Sequence, residues 1–313
     1  MNWFLFTFFA SSCLFGDLED HFKQVPDKSG DHSMQNIDFI YMINLDQRPE
    51  KFKASLDQLA PFHIHPCRFP AVNGWEMSLE AIQDVGVCFS EEMEGGFMAT
   101  RYPLEAGGKE RHEIIEQLGQ TYFVHCLPRG AIGCSLSHLS ILQDALDSGY
   151  ETIWIMEDDI EVRRDPRVLS ELVEKLDGIV GREGWDVLFT DRDFKTAQGH
   201  YAPAYGAAKR PDYAFFQYAN DYSMKVDIGP DFRRIANRYG TTSMIVRQSG
   251  MKKLLQFFKA HHIYLPYDMD LIYARGIRLF TVSDDVVGNL SHALSDVGCP
   301  HYLNKQQQLP DRS

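Results

Sequence analysis

Apolar and polar residues alternate along the chain in blocks that predict strands and helices in turn. Short apolar runs rich in β-branched and aromatic residues are typical of buried strands. They occupy residues 38–43, 67–72, 152–156, 186–190, 241–246 and 277–282. Apolar residues at helical spacing occupy residues 52–59, 136–146, 166–176 and 249–258. Strands that alternate with helices predict an α/β fold with a mostly parallel central sheet.

The ends of these predicted elements carry turn and capping residues. Gly130 and Gly133 predict a turn where the backbone approaches another group closely. Asp165 and Pro166 are predicted as the cap and first position of one helix, and Ser249 as the cap of another.

Two stretches lack sustained periodicity. Residues 76–128 contain paired glycines and acidic clusters, and they predict helices and long loops over the site. Residues 194–235 are rich in Tyr, Ala, Gly and Pro, which predicts a mobile loop facing a substrate or, alternatively, plain irregular structure.

Composition narrows the class of protein. The chain has 313 residues, 44% of them hydrophobic, which suffices for one large α/β domain or two small ones. A formal net charge of -13 argues against nucleic acid as a partner, because phosphate backbones require a basic surface. The sequence has no Cys-x-x-Cys pair and therefore indicates neither a zinc site nor a disulfide framework, so we expect reduced thiols. The cysteines are Cys13, Cys67, Cys88, Cys126, Cys134 and Cys299.

The two ends of the chain differ from its middle. Residues 3–15 are almost wholly apolar but too short to span a bilayer comfortably, and they resemble the apolar core of a secretory signal. If this segment is a leader, we expect export or peripheral membrane association of the protein. A membrane-surface anchor and a buried or wrongly assigned start of the chain are the alternatives. Without a leader, we expect the protein at the cytoplasmic face of the membrane. The predicted organisation is a leader or anchor at 1–16, a linker at 17–36, a folded catalytic domain at 37–295 and a loose polar tail at 296–313.

Three consecutive carboxylates follow the predicted strand 152–156. Ligands of open α/β sheets lie outside the carboxyl ends of the strands, and Glu157, Asp158 and Asp159 stand at such an end. Adjacent acids repel one another unless a cation or solvent stabilises them. Hard oxygen ligands suit Mg²⁺ or Mn²⁺, which also bridge to phosphates. The pattern predicts a metal–nucleotide site; a solvated acidic turn is the alternative.

The loop after the first predicted strand is a second candidate for nucleotide binding. Strand, polar loop and helix form the opening half of a βαβ unit, and Asn44 and Arg48 lie in that loop. A guanidinium matches phosphate geometry. A surface arginine near a helix start is the alternative for Arg48.

Several segments together resemble glycosyltransferase family 25, the group that includes bacterial lipopolysaccharide galactosyltransferases and the collagen galactosyltransferase domain. The likeness covers roughly residues 37–290. The segments that carry it are Ile43-Asn44-Leu45-Asp46-x-Arg48, Ala71-Val72-Asn73-Gly74, Gly130 to His138, Ile155 to Asp159, Gly240 to Ile245, Gly250 to Leu255 and Pro266-Tyr267-Asp268. The resemblance implies a GT-A type, Rossmann-like fold, a UDP-hexose donor, Mn²⁺ or Mg²⁺ at the acidic motif, and inversion at the anomeric carbon.

The resemblance also implies roles for individual residues. Asp159 is the first choice as metal ligand, with Glu157, and with His292 completing the metal shell as a late histidine does in some GT-A enzymes. Donor-binding positions follow from the matched motifs: Asn44, Arg48, Asn73, Gly74, Ser137, His138, Glu157 and Asp158. The chain departs from the family at Ser243, where a Tyr is frequent, and around 191–193, which puts the acceptor side in doubt.

Transfer with inversion requires a carboxylate that takes the proton of the acceptor hydroxyl. Asp268 is the first candidate and Asp191 the second, with Asp193 beside it; capping or loop structure is the alternative for each. The sequence thus predicts transfer of a hexose, galactose or glucose, from a UDP-sugar to a glycan, lipid-linked or lipopolysaccharide-type acceptor. The alternatives are a metal-dependent phosphohydrolase or nucleotidyl transferase, and a non-catalytic family member that binds a glycan or a partner.

Overall fold

A computed structural model describes residues 16–204, 208–213 and 222–306 of the chain. The strands are β1 Phe39–Asn44, β2 Cys67–Pro70, β3 Val87–Cys88, β4 Met98–Arg101, β5 Arg111–Ile114, β6 Thr121–Val124, β7 Thr152–Glu157, β8 Ile160–Val162, β9 Val187–Phe189, β10 Lys225–Ile228, β11 Phe232–Ile235, β12 Ser243–Arg247, β13 Leu279–Val282 and β14 Val287–Asn289. The helices are α1 Pro49–Leu59, α2 Leu79–Val85, α3 Arg129–Asp147, α4 Val168–Val180, α5 Gln248–His261, α6 Tyr267–Asp270 and α7 His301–Gln306.

Within the described part of the chain, the main sheet has eight strands in the order β10-β11-β13-β9-β12-β7-β1-β2. Six of them run in one direction, and only β11 and β12 are reversed. The predicted α/β class and mostly parallel sheet are confirmed. Because β1 and β7 are parallel and Ile43 is paired with Glu157, both strands deliver their carboxyl ends to the same edge of the sheet.

Apolar side chains cover both faces of this sheet, which explains why its strands read as continuous apolar runs. Along β1, Phe39, Tyr41 and Ile43 point into a core shared with α3 and α5, while Ile40 and Met42 point into a second core shared with α1 and α4. The edge of the sheet where β1 and β7 end therefore lies between these two packed apolar cores.

Residues 76–128 include a second, smaller sheet, so the expectation of helices and long loops is wrong where its four strands lie and agrees with the structure at helix α2 and in the connecting loops. Its order is β3-β6-β4-β5 and all its pairs are antiparallel. Helix α2 precedes it. Strands of two to four residues are too short to show alternation in sequence, and their pairing is not local.

The predicted loop at 194–235 contains regular structure within the part that is described. Strands β10 and β11 form a hairpin that adds to the edge of the main sheet through β13. Residues 205–207 and 214–221 lie outside the described residues.

Three predicted helix ends are wrong in detail. Gly130 and Gly133 lie inside the first turns of α3 rather than in a turn before it. Helix α4 begins at Val168, two residues after Pro166. Ser249 does not cap α5; its hydroxyl donates to Asp186 Oδ1 at 2.6 Å.

The segments flanking the main domain pack against it where they are described. Leu18, in a short 3-10 helix, and Tyr302 in α7 are both buried. The chain after residue 296 is therefore not loose at Tyr302, whereas the predicted domain boundaries stay predictions. The apolar segment 1–15 lies outside the described residues. Within the described ranges, none of the helices has the length and apolar character needed to cross a membrane.

Candidate active site at the carboxyl edge of the sheet

The acidic triplet lies between two cavities. The first is about 580 Å³ and the second about 830 Å³, both including space open to solvent, and both are in the range of small-molecule sites. The first cavity is lined by Ile43, Leu45, Lys51, Ala71, Val72, Asn73, Gly74, Trp75 and Asp296, among others. The second is lined by Phe194, Lys195, Gly240, Thr241, Tyr267, Asp268 and Asn289, among others. Cys134, Glu157, Asp159, Ser295 and Val297 line both.

Glu157, the last residue of β7, is held by two side chains. Its Oε1 lies 3.0 Å from Thr241 Oγ1, which donates to it, and 3.2 Å from His138 Nε2. The buried His138 ring is stacked on Tyr267, with centroids 4.5 Å apart. Burial favours a higher pKa for Glu157, but the hydrogen bonds from His138 and Thr241 outweigh it and lower that pKa. Glu157 therefore presents a fixed negative charge to both cavities.

Asp158 points toward the loop between β1 and α1. Asn44 Nδ2 donates to its Oδ2 at 2.6 Å, and Lys51 Nζ lies 3.9 Å from its Oδ1. Burial raises the pKa of Asp158 to about 6, although Lys51 and Asn44 act in the opposite direction.

Asp159 has an unsatisfied carboxylate oxygen. Its Oδ1 is buried and has no hydrogen-bond partner among the described residues, a condition that costs free energy and calls for an explanation. Burial and the neighbouring charge of Glu157 raise the pKa of Asp159 to about 7. A divalent cation would satisfy that oxygen and remove the repulsion, so the residues present fit a hard metal ion.

Two of the residues predicted to bind the donor, Arg48 and Asn44, form hydrogen bonds with other groups of the protein. Arg48 is buried, and its Nη1 donates to both oxygens of Asp296 at 2.9 and 2.7 Å. Asn44 Nδ2 also donates to the Arg48 carbonyl at 2.8 Å, which fixes the loop between them. Arg48 is absent from the lining of both cavities as the described residues form them.

The predicted residues on α3 and the loop after β2 meet at a close backbone contact. Ser137 Oγ accepts from Val72 N–H at 2.8 Å. A Cβ placed on Gly133 would lie 2.4 Å from Gly74 N and 2.5 Å from Val72 O. Asn73 borders the first cavity, and its Nδ2 donates to Tyr302 Oη at 2.9 Å. The close approach predicted for Gly133 is thus present, but inside a helix.

The candidate bases occupy different environments. Asp268 lines the second cavity, and its Oδ2 accepts from Gly240 N–H at 2.7 Å. Burial raises the pKa of Asp268, with Glu157 adding to the effect. Asp191 is instead buried in an ion pair with Arg238 at 2.7 Å, and Asp193 is paired with Lys225 at 2.9 Å. Neither Asp191 nor Asp193 lines either of the two cavities formed by the described part of the chain.

His292 does not join the triplet. Its side chain is exposed, and although Ser291 and Ala293 border the second cavity, His292 does not. The structure thus brings Glu157, Asp158, Asp159, Asn44, Ser137, His138 and Asp268 together and leaves His292 and Asp191 apart.

Sequence reasoning missed three residues of the site. Lys51 lines the first cavity near Asp158, and its position in the first turn of α1, just after the loop predicted to bind a nucleotide, was a usable signal. Cys134 lines both cavities. Asp296 neutralises Arg48 across 248 positions of sequence, and no local pattern encodes that contact.

The fold and the site together define a Rossmann-like α/β protein with an acidic site at the carboxyl edge of its sheet. Sequence comparison then identifies the family. The family model described as "Glycosyltransferase family 25 (LPS biosynthesis protein)" matches residues 37–271. The chain therefore belongs to glycosyltransferase family 25, and the resemblance inferred from its motifs is confirmed.

The curated relatives are distant. A "Glycosyltransferase 25 family member" of Aedes aegypti is 27% identical over 56% of this chain and 24% of its own length. "Procollagen galactosyltransferase 2" of Mus musculus is 27% identical over 53% of this chain and 22% of its own length. "Inactive glycosyltransferase 25 family member 3" of Homo sapiens is 24% identical over 50% of this chain and 22% of its own length. The matches span about a quarter of the length of these relatives.

Proposed function

We propose that this chain is a metal-dependent, inverting glycosyltransferase that moves a hexose, galactose or glucose, from a UDP-sugar to a glycan or lipid-linked acceptor. The observation that carries the proposal is the unpartnered oxygen of Asp159, which lies among three carboxylates where two cavities meet. A diphosphate donor in one cavity and an acceptor in the other would face each other across that oxygen.

The first cavity suits the donor. Trp75 and Leu45 offer apolar surface to a base or sugar, and Lys51 is a cation beside Asp158. Asp159 and Glu157 would hold Mn²⁺ or Mg²⁺, which when bound neutralises charge on a leaving diphosphate. Asp158 lines this cavity on the side of the loop after β1, and Asn44 behind it donates a hydrogen bond to its carboxylate.

The second cavity suits the acceptor. Asp268 faces it, and the Gly240 N–H fixes one of its oxygens. In the proposed reaction, Asp268 takes the proton of an acceptor hydroxyl while that oxygen forms a bond to the anomeric carbon. The bond from that carbon to the diphosphate breaks, and UDP leaves with the electron pair. Attack opposite the leaving group inverts the anomeric configuration.

The test uses the full chain, a panel of UDP-sugars, and Mn²⁺ or chelator. Binding to the native state raises the melting temperature by mass action. We expect one UDP-sugar to raise it only with metal and to be slowly hydrolysed to UDP. Asp159→Asn should abolish the metal-dependent shift and lower turnover by about a hundredfold or more.

Asp57→Asn is the matched control, because Asp57 is an exposed acid on α1 paired with Lys53; it should behave as the wild type. A shift without turnover of any donor or transfer to any acceptor would make this chain a non-catalytic binding protein; the human relative is named inactive. No shift with any UDP-sugar would refute the proposal, as would phosphate release without a sugar product.

A further inference from the structure

The small antiparallel sheet carries a cluster of nitrogen and sulfur ligands away from the acidic triplet. One ligand atom each of His112, His125 and Cys126 lies within 4.8 Å of the others, and all three side chains are exposed. His112 lies on β5, whereas His125 and Cys126 follow β6. None of the three lines either cavity of the candidate active site as the described residues form them.

The surroundings orient this cluster. Thr100 Oγ1 lies 3.0 Å from His112 Nδ1 and accepts from Cys126 N–H at 2.8 Å. The Thr100 hydroxyl thus contacts both the His112 ring and the Cys126 backbone. Because it contacts Nδ1 of His112, Nε2 of that ring takes no part in this hydrogen bond. Ligating histidines ordinarily use their second nitrogen in such an outer hydrogen bond. Glu110 Oε1 lies 3.9 Å from His112 Nε2.

The backbone at Cys126 is unusual. Its φ is 63°, in the left-handed region that residues other than glycine seldom adopt. Such conformations cluster at ligand-holding segments, because the surrounding structure must maintain them against their cost. Here the conformation places Cys126 beside the two histidines, whose ring centroids are 4.8 Å apart.

We propose that His112, His125 and Cys126 bind a soft divalent cation, Zn²⁺ by its ligand chemistry, with Glu110 or water as the fourth ligand. Imidazole and thiolate are the ligands that Zn²⁺ prefers, in contrast to the all-oxygen set of the acidic triplet. Binding displaces the proton of the Cys126 thiol, because the thiolate is the ligand. The ion would link β5 to the segment that leads into α3, although the sequence contains no Cys-x-x-Cys signal for zinc.

The experiment titrates the reduced, metal-free full chain with Co²⁺ and then with Zn²⁺. We expect a thiolate-to-cobalt charge-transfer band that saturates and that Zn²⁺ abolishes by displacement, while excess Mg²⁺ leaves it unchanged. Cys126→Ser should remove the band, and His125→Ala should weaken Zn²⁺ binding by about a hundredfold. Zn²⁺ should raise the melting temperature of the wild type and not of Cys126→Ser.

Cys299→Ser is the matched control, because Cys299 is also an exposed free thiol; it should keep the band. A band that survives Cys126→Ser would overturn the proposal. So would a band lost only in Cys134→Ser, since it would place the ion with His138 and Glu157, the other group of this kind among the described residues. The absence of any band in the wild type would refute it directly. Because His125 is exposed, His125→Ala provides an independent test should Cys126→Ser fail to fold.

Discussion

Asp268 differs from its two rivals in what each carboxylate already holds. Asp268 accepts a backbone N–H and faces a cavity, whereas Asp191 and Asp193 each hold a cationic side chain. A general base needs a free oxygen within reach of the substrate. Asp268→Asn should therefore lower kcat by about 10²–10⁴ and leave donor binding intact, as measured by UDP release and by the donor-induced shift in melting temperature.

The pH profile adds a second measurement for this residue. Burial raises the pKa of Asp268, and the base must be ionised, so kcat should rise with pH across that raised pKa. Asp193→Asn serves as control and should retain activity near that of the wild type. Equal losses in the two variants would argue against Asp268 as the base.

At the scale of elements, the contact between α3 and the loop after β2 depends on two facing glycines. A methyl on Gly133 would meet backbone atoms of Gly74 and Val72 at less than 3 Å. Gly133→Ala should lower the free energy of unfolding by about 1–3 kcal/mol despite the better helix propensity of Ala, and it should weaken donor binding. Urea midpoints at constant m report the change.

Gly178 in α4 provides the opposite case. Apart from its own helix backbone and chain neighbours, no atom of the described residues lies within 4 Å of a Cβ built there. Gly178→Ala should therefore stabilise the protein by about 0.5–1 kcal/mol. The same glycine-to-alanine substitution would thus lower the free energy of unfolding in α3 and raise it in α4. Similar changes in the free energy of unfolding at both positions would show that the backbone around Gly133 adjusts to a methyl group without loss of stability.

The helices and strands also show which parts of the fold could be predicted from the sequence. The buried strands β1, β7 and β12 and the helices α3, α4 and α5 were predictable, because each is long enough to show its own period. The small sheet was not, since its strands have two to four residues and pair across loops. In the site, the triplet followed from its place after a strand, and Asp268 from the motif Pro266-Tyr267-Asp268. The capture of Arg48 by Asp296 did not, because it joins distant parts of the chain.

At the scale of the whole molecule, Asp186 joins three elements. This buried carboxylate, just before β9, accepts from Ser249 Oγ and Lys253 Nζ of α5 and from Arg278 before β13. Burial opposes ionisation, but these donors prevail and lower the pKa of Asp186. Asp186→Asn leaves partly buried cations unpaired and should lower the free energy of unfolding by about 3–5 kcal/mol at neutral pH.

The sign of the pH dependence follows from the lowered pKa. The unfolded state binds the proton more readily, so this stabilisation is present above the ordinary carboxyl pKa and is lost as pH falls through the folded-state pKa. The difference between wild type and Asp186→Asn should be constant near neutrality and shrink below about pH 4. Denaturant unfolding across pH measures it, with Asp57→Asn as control. A difference that is unchanged in acid would contradict the assignment.

Strand β13 lies inside the main sheet, between β9 and β11, although it follows the end of the family match at residue 271. A protein cut at that boundary would lose the partner of two strands and would open both cavities by removing Ser295 and Val297. The segment that the family model matches is therefore smaller than the segment that builds the main sheet and lines the two cavities. For domain exchange within the family, the transplantable module extends at least to Val297, past the last residue that sequence similarity would select.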